Sequence, residues 1–145
     1  MLLSIQSILL NVNDLDRSVA FYSDVFEFRV YVRETDVAAL EVGGSDRRQV
    51  LVLRGASRYF HPGRDVIGPR LISFEAASLD EVNLIEARLD ARKGLVGRKR
   101  AKGWEAVFGI DPDRNQLSIA AGLSGHPIGD DDWTLLDEAV YVVGE

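Results

Sequence analysis

The chain contains the same order of predicted secondary-structure elements twice, and this internal repeat restricts the fold more than any other feature. Apolar runs and alternating patterns predict eight strands, four in each half of the chain. These strands are predicted at residues 4–12, 28–33, 37–42, 49–53, 71–76, 96–102, 105–110 and 116–120. A helix follows the first strand of each half, so both halves are predicted to be βαβββ units, as expected of a duplicated module.

Both predicted helices have a start signal and one apolar face. Asp14 is the predicted N-cap of the first helix, and Ser78 with Glu81 forms a capping box before the second. Apolar residues recur at helical spacing, at Leu15, Val19, Tyr22 and Phe26 and at Leu79, Val82, Ile85 and Leu89. A shift of 64 residues places Leu15 on Leu79, so the phase between strand and helix repeats as well.

A short polar turn joins the last two predicted strands. The turn has the sequence Asp111-Pro112-Asp113-Arg114-Asn115. Proline presets φ, while Asp and Asn bond their own backbone and tolerate left-handed conformations. This composition predicts a tight hairpin between residues 104 and 120.

Two phrases of the sequence resemble the vicinal oxygen chelate superfamily, which includes glyoxalase I, bleomycin-resistance proteins and extradiol dioxygenases. The first phrase is NVNDLDRSVAFY at residues 11–22, and the second is the turn at 111–115. The resemblance covers about residues 4–120 and implies an α+β fold, in which tandem βαβββ modules form cupped mixed sheets. Arg114 stands where the family usually has glycine, which predicts a positive φ at a non-glycine residue.

The chain length favours one domain built from both halves. At 145 residues there is room for one ordinary domain, and a half of about 60 residues buries little surface alone. We therefore predict a single glyoxalase/bleomycin-resistance-like domain at residues 1–145, with a core shared by the two sheets. Its parts are module 1 at about 4–54, a linker at 55–68, module 2 at about 69–120 and an acidic C-terminal tail at 121–145.

In the metal-dependent members of the family, His and Glu side chains on four strands hold a divalent ion that polarises the substrate. The resemblance assigns the first-strand His position to Ser7, its repeat mate to Leu71 and the final-strand Glu position to Ser118. The fourth ligand falls on the strand at 49–53, which contains no Asp, Glu or His. These side chains do not hold a catalytic Fe, Zn, Ni or Mn ion. We expect no metal and no other cofactor, with a divalent metal on other residues as the alternative.

Other chemically reactive residues are scarce in the sequence. The chain has no cysteine, which excludes disulfides, thiolate metal sites and cysteine nucleophiles. His61 and His126 are the only histidines, and both precede proline in segments of loop composition. Glu41, Glu75 and Glu105 lie on predicted strands and are expected to be solvated. No nucleophile–base pair or known catalytic motif occurs, so we expect no catalytic residues.

The concave sheet pair without a metal resembles the bleomycin-resistance branch, whose members bind a drug in mostly apolar clefts between subunits. The resemblance predicts a metal-independent protein that binds or sequesters a small molecule such as an antibiotic. The residues expected to line the site are Ser7, Tyr31, Tyr59, Phe60, Leu71, Trp104, Phe108 and Ser118. Two alternatives are a metal-dependent lyase or dioxygenase-like enzyme that uses non-standard ligands, and a non-catalytic structural or partner module.

The distribution of charge argues against a nucleic-acid partner. Six of the 23 acidic residues and none of the 17 basic residues lie at 121–145, so residues 1–120 are formally neutral. This pattern gives no electrostatic footprint for nucleic acid. The short basic run Arg98-Lys99-Arg100 is predicted on an edge strand, where charge prevents further strand pairing, with an anionic-ligand site as the alternative.

The N-terminal segment has the features of neither a signal peptide nor a membrane span. It lacks a basic n-region and a small-residue cleavage site, and Asn11 and Asp14 interrupt its apolar run. We therefore expect a cytoplasmic protein without membrane partners. The resemblance implies a homodimer, with an apolar segment of the tail at 133–140 as a candidate contact.

Overall fold

The structure is a computed structural model that describes residues 1, 5–43, 49–55, 71–101 and 103–123. The chain divides into two compact units, Met1–His61 and Pro62–Glu145, and each contains one βαβββ module. The elements of module 1 are β1 Ser7–Val12, α1 Leu15–Phe26, β2 Arg29–Arg33, β3 Val37–Val42 and β4 Gln49–Gly55. The elements of module 2 are β5 Ile72–Glu75, α2 Leu79–Ala91, β6 Leu95–Ala101, β7 Trp104–Ile110 and β8 Gln116–Gly122.

Each module folds into a four-stranded mixed sheet. The strand orders are β1-β4-β3-β2 and β5-β8-β7-β6, so the first strand of each module pairs with the last. This pairing is parallel, and the other pairings are antiparallel. Two parallel strands need a long connection between them, and α1 and α2 form the first part of that connection in their modules. The predicted α+β architecture of tandem βαβββ modules is confirmed.

The second strand of each module lies at a sheet edge and carries an irregularity. The register shifts between Val30 and Val32 in β2 and between Leu95 and Gly97 in β6. Such a bulge twists an edge strand and hinders pairing with another sheet. The basic run therefore lies on an edge strand, as predicted.

Some strand ends differ from the sequence prediction because backbone pairing starts later or continues further. β1 begins at Ser7 instead of residue 4. β4 extends to Gly55 and β8 to Gly122, since both glycines still pair with a neighbouring strand. The predicted linker and tail therefore begin inside strands, and their residues 56–68 and 124–145 lie outside the described residues.

Side chains cap both helices as predicted. The Asp14 carboxylate accepts a hydrogen bond from the Arg17 amide at 3.1 Å, and the Ser78 hydroxyl accepts one from the Glu81 amide at 3.3 Å. The Glu81 carboxylate accepts from the amide of Ala77, one residue before the cap, at 2.8 Å. These bonds satisfy amides that have no partner inside the helix.

Left-handed residues end both helices and shape the last turn. Glu27, directly after α1, has a φ of 59°, and Lys93, two residues after the last residue of α2, has a φ of 58°. Arg114 has a φ of 67°, which confirms the positive φ predicted there. The Asp111 carboxylate holds this turn by accepting the Asn115 amide at 2.8 Å. The turn therefore forms from the residues that predicted it.

Each helix packs against one face of its own sheet. The fully buried side chains of module 1 include Val12, Tyr22, Val25, Leu40, Leu51 and Leu53, and those of module 2 include Val82, Leu89, Val107, Leu117 and Ile119. Burying one such side chain contributes about 1.5–3 kcal/mol. A Cβ on Gly109 would lie 2.9 Å from Leu89 Cδ1, so glycine allows α2 to approach β7 closely. Within the described residues, no helix is long and apolar enough to cross a membrane.

Candidate functional site

The pairing registers align the two modules residue by residue. Leu9 pairs with Val52 between β1 and β4, and Ser73 pairs with Ser118 between β5 and β8. Leu9 and Ser73 are separated by the 64-residue offset of the sequence repeat. The two pairs therefore occupy the same rung of their sheets, and Val52 is the module 1 equivalent of Ser118.

We call the sheet face opposite the helix the helix-free face of each module. A Cβ on Gly55 would lie 3.5 Å from Leu15 Cβ, and one on Gly109 would contact Leu89, so these glycines mark the helix-covered faces. Directly paired residues share a face, and successive residues alternate. The helix-free face of module 1 includes Ser7, Leu9, Asn11, Ala39, Val50 and Val52. That of module 2 includes Ser73, Glu75, Lys99, Trp104, Ala106, Phe108, Gln116, Ser118 and Ala120.

The two helix-free faces differ in burial. On module 1, Leu9 is 56% exposed and Val52 is half-buried. On module 2, the central residues Trp104, Ala106, Phe108, Ser118 and Ala120 are all buried. Module 2 therefore has two buried sheet faces, although its helix covers only one of them.

A pair of serine hydroxyls lies at the centre of the helix-free face of module 2. Ser118 Oγ lies 2.6 Å from Ser73 Oγ, and Ser118 is fully buried. One hydroxyl donates to the other, so the accepting hydroxyl retains a proton for one further hydrogen bond. The pair is uncharged and suits a neutral polar group.

Two aromatic side chains enclose a stretch of small residues on the same face. Trp104 and Phe108 are four positions apart on β7, and Ala106 lies between them. Ala120 on β8 pairs with Ala106. Four residues of strand span about 13 Å. We call these four buried residues the alanine patch, in which two methyl groups lie between two large aromatic residues.

Two buried polar atoms on this face have no hydrogen-bond partner within the described part of the chain. They are Trp104 Nε1, on a fully buried side chain, and Gln116 Oε1. A buried polar atom without a partner costs about 1–3 kcal/mol.

The positions that the family uses for metal ligands hold no metal-binding side chain. Ser7 is exposed, Leu71 is half-buried directly before β5, and Ser118 is bonded to Ser73. The register identifies Val52 as the fourth position. Hydroxyl and aliphatic side chains do not fit a divalent transition metal, which takes imidazole, carboxylate or thiolate ligands. Among the described residues, no group of three or more His, Asp or Glu side chains could hold an ion.

The other predicted lining residues lie elsewhere. Tyr31 lies at the register shift of β2 and is 39% exposed. Tyr59, Phe60 and both histidines fall outside the described residues. Of the eight predicted residues, the structure brings Trp104, Phe108 and Ser118 together on one sheet face.

Glu105 is buried, so the expectation that the strand glutamates are solvated is wrong for this residue. It lies on the helix-covered face of module 2 and is 6% exposed. Its carboxylate accepts a hydrogen bond from Arg98 Nε at 3.0 Å and pairs with Arg100 Nε at 3.0 Å. Arg98 also binds Asn83 and Glu86 on α2. The bond to Glu105 raises the pKa of Arg98 above its ordinary value. Because Arg98 and Arg100 both pair with Glu105, the two arginines of the basic run belong to an ion-pair network within the module.

Sequence reasoning missed Ser73, Gln116 and the two alanines of the alanine patch. Ser73 had a signal, because alternation along the strand places it on the same face as Leu71. The alanines and Gln116 carried no chemical signal of their own. Their place in the site follows from strand pairing, which a single segment does not reveal.

The family model of the glyoxalase/bleomycin resistance protein/dioxygenase superfamily matches residues 4–119 of the sequence. The chain therefore belongs to this superfamily, as the two sequence phrases and the βαβββ repeat predicted. No curated protein matches the sequence.

Solved structures of this superfamily share the fold over most of the chain. A glyoxylase/bleomycin resistance protein/dioxygenase domain from Frankia sp. EAN1pec is 21% identical, with a TM-score of 0.73 over 87% of this chain and 96% of its own. Lactoylglutathione lyase from Agrobacterium tumefaciens is 25% identical, with a TM-score of 0.64 over 86% and 98%. The fosfomycin resistance protein FosX from Listeria monocytogenes is 16% identical, with a TM-score of 0.67 over 86% and 97%.

Proposed function

We propose that this chain is a metal-independent protein that binds or sequesters a small molecule on the helix-free face of module 2. The observation that carries the proposal is the hydroxyl pair, in which Ser118 replaces the family's final metal-binding carboxylate and bonds to Ser73 at 2.6 Å. A buried neutral pair at this position supports recognition of a ligand group in place of coordination of an ion.

The surroundings of the hydroxyl pair support the same proposal. Small-molecule sites are mostly apolar and aromatic, with a few placed polar groups. Trp104 and Phe108 supply buried rings, and Trp104 Nε1 and Gln116 Oε1 supply polar atoms without partners in the described residues. The ligand class that we propose first is an antibiotic, since FosX, a fosfomycin resistance protein, has the same fold.

The proposal includes a homodimer in the cytoplasm, without a nucleic-acid or membrane partner. Two considerations support the dimer: clefts in the family form between subunits, and two-fold dimers are the commonest soluble oligomers. Light scattering on the purified protein tests it, and a particle with twice the mass of one chain is expected.

Ligand-induced stabilisation in the presence of EDTA tests the function. Antibiotics with flat aromatic groups are screened by thermal unfolding, and a true ligand at 100 times its Kd stabilises the protein by about 2.7 kcal/mol. The variant Phe108→Leu should bind such a ligand more weakly, whereas Val52→Ala, on the equivalent face of module 1, should bind it like the wild type.

Two results contradict the proposal. A shift that EDTA abolishes indicates a metal-dependent protein with non-standard ligands. The absence of any shift across a broad panel indicates a non-catalytic structural or partner module.

A further inference from the structure

The edge strands of the two described sheets differ in how well they are protected against pairing with a further strand. β2 and β6 carry basic residues and a shift in register. β5 has four residues and ends in the charged Glu75. β1 differs from these three, because its six residues contain no charge and no proline and keep one register with β4 throughout. An uncharged, regular edge strand of this kind is a template for pairing with another chain.

The backbone of β1 shows which residues face its open edge. β1 is the first strand of its sheet and pairs with β4 alone among the described strands. The Gln6 carbonyl accepts a hydrogen bond from the Val50 amide of β4 at 3.0 Å. Successive residues of a strand direct their N–H and C=O groups to opposite sides, so those of Ser7, Leu9 and Asn11 point away from β4. The same three residues are exposed to solvent.

The residues of the open edge are complementary to those of a second copy of the chain. Ser7 and Asn11 are polar and lie two positions before and two positions after Leu9. When two copies of β1 run antiparallel about a two-fold axis through Leu9, Ser7 of each copy lies opposite Asn11 of the other. Polar side chains then meet polar ones, leucine meets leucine, and no charges are brought together.

The backbone directions also determine the register of such a pair. A residue that points outward can exchange hydrogen bonds with an outward-pointing residue of the other copy. The register centred on Leu9 is the one in which Ser7, Leu9 and Asn11 all gain a partner. Paired residues share a face, so the helices of both copies lie on the same side of the joined sheet.

From this geometry we infer that two copies of the chain associate through β1, which joins their module 1 sheets into one continuous sheet. Leu9 of each copy contacts Leu9 of the other and loses part of its 56% exposure. The inference rests on the homodimer included in the proposed function, and it names the surface that forms the dimer.

Single cysteine variants test the register, because the natural chain has no cysteine and every disulfide must then join two copies. Leu9→Cys places two Cα atoms about 5.5 Å apart, a separation that a disulfide spans, so oxidation should give a covalent dimer on a non-reducing gel. In Ser7→Cys or Asn11→Cys alone, the two thiols are separated by about 13 Å along the strands, and no dimer is expected. Co-expressed Ser7→Cys and Asn11→Cys chains should crosslink to each other.

A charge reversal of the edge's neutrality tests the interface without a crosslink. Leu9→Lys places two like charges opposite each other and should raise the dimer Kd by about a hundredfold, measured by sedimentation equilibrium. Leu84→Lys is the matched control, since Leu84 on α2 is 48% exposed and should leave the Kd unchanged. Both leucines are exposed, so neither change should disturb the fold.

Three results would overturn the inference. A wild-type dimer in which Leu9→Cys forms no disulfide, or in which Leu9→Lys has an unchanged Kd, would exclude β1 and leave the proposed homodimer standing. A disulfide between Leu9→Cys and Ser73→Cys chains, without one in Leu9→Cys alone, would show that β1 pairs with β5 of the second copy. A wild type that stays monomeric at all concentrations would contradict the inference and the proposed dimer together. Ligand binding is tested separately by the EDTA-insensitive shift.

Discussion

At the same position of their two sheets, module 1 has a pair of apolar residues and module 2 has a pair of polar residues. The rung is Leu9–Val52 in module 1 and Ser73–Ser118 in module 2. The apolar pair is the more exposed of the two, since Leu9 is 56% exposed whereas Ser118 is fully buried. Residue type alone favours the reverse, because leucine is usually buried and serine usually exposed.

The shared architecture does not explain this difference. Strand order, edge irregularities and left-handed helix ends are the same in the two modules. The two buried aromatic rings, the two buried alanines and the serine hydroxyl pair all lie on the helix-free face of module 2. The fold supplies the sheet, and the side chains on its faces make the two modules chemically different.

The largest expected difference between the modules is in the cost of truncating a side chain on the helix-free face. Phe108→Ala should lower the free energy of unfolding by about 3–5 kcal/mol, because a fully buried ring leaves a cavity. Leu9→Ala should cost less than about 1 kcal/mol, because Leu9 is 56% exposed. Urea denaturation measures both values. Equal losses would show that the two faces are equally buried in solution.

A smaller difference is expected between two ion pairs made by edge-strand arginines: Arg98 with Glu105 on the neighbouring strand β7, and Arg33 with Asp16 on α1. Glu105→Ala should cost about 2 kcal/mol, since the carboxylate is buried but its partner Arg98 is partly exposed and screened by water. Asp16→Ala, which removes the exposed partner of Arg33, should change stability by less than about 0.5 kcal/mol. Denaturation at low and high salt measures both, and an Asp16 effect as large as that of Glu105 would contradict the comparison.

The pH dependence of the Glu105 network follows from the raised pKa of Arg98. A group whose pKa is higher in the folded state stabilises the fold fully below its unfolded pKa, and this contribution is lost as pH rises through the folded pKa. For Arg98 that range is strongly alkaline. The stability difference between the wild type and Arg98→Met should therefore be constant from about pH 6 to 9. A decrease across this range, measured by urea denaturation, would show that Arg98 is not held as described.

The smallest effects should be the same in both modules. In the left-handed conformation, a non-glycine residue costs about 1–2 kcal/mol, which Glu27→Gly and Lys93→Gly each remove. Part of this gain is lost again, because glycine gives up more conformational freedom on folding than the residue it replaces. Each should raise stability by about 0.5 kcal/mol, as should Arg114→Gly. Thermal unfolding checks the shifts. Opposite signs at Glu27 and Lys93 would show that the helix ends are not equivalent.

The predictions from sequence succeeded where neighbouring residues determine the structure. The caps at Asp14 and Ser78 and the positive φ of Arg114 depend on local hydrogen bonds and backbone sterics, which the sequence displays directly. The Ser73–Ser118 bond and the burial of Glu105 join residues that are distant in sequence. They depend on pairing register, and a shift of one residue would send each side chain to the other face.

Metal content tests the central claim most directly. The protein is purified without a metal-affinity tag, and its metal content is determined by elemental mass spectrometry before and after incubation with Fe, Ni, Zn and Mn. The missing ligands at Ser7, Val52, Leu71 and Ser118 predict less than about a tenth of an equivalent of any transition metal, with no increase after incubation. About one tightly held ion per chain would contradict the claim and point to an enzyme with ligands elsewhere in the chain.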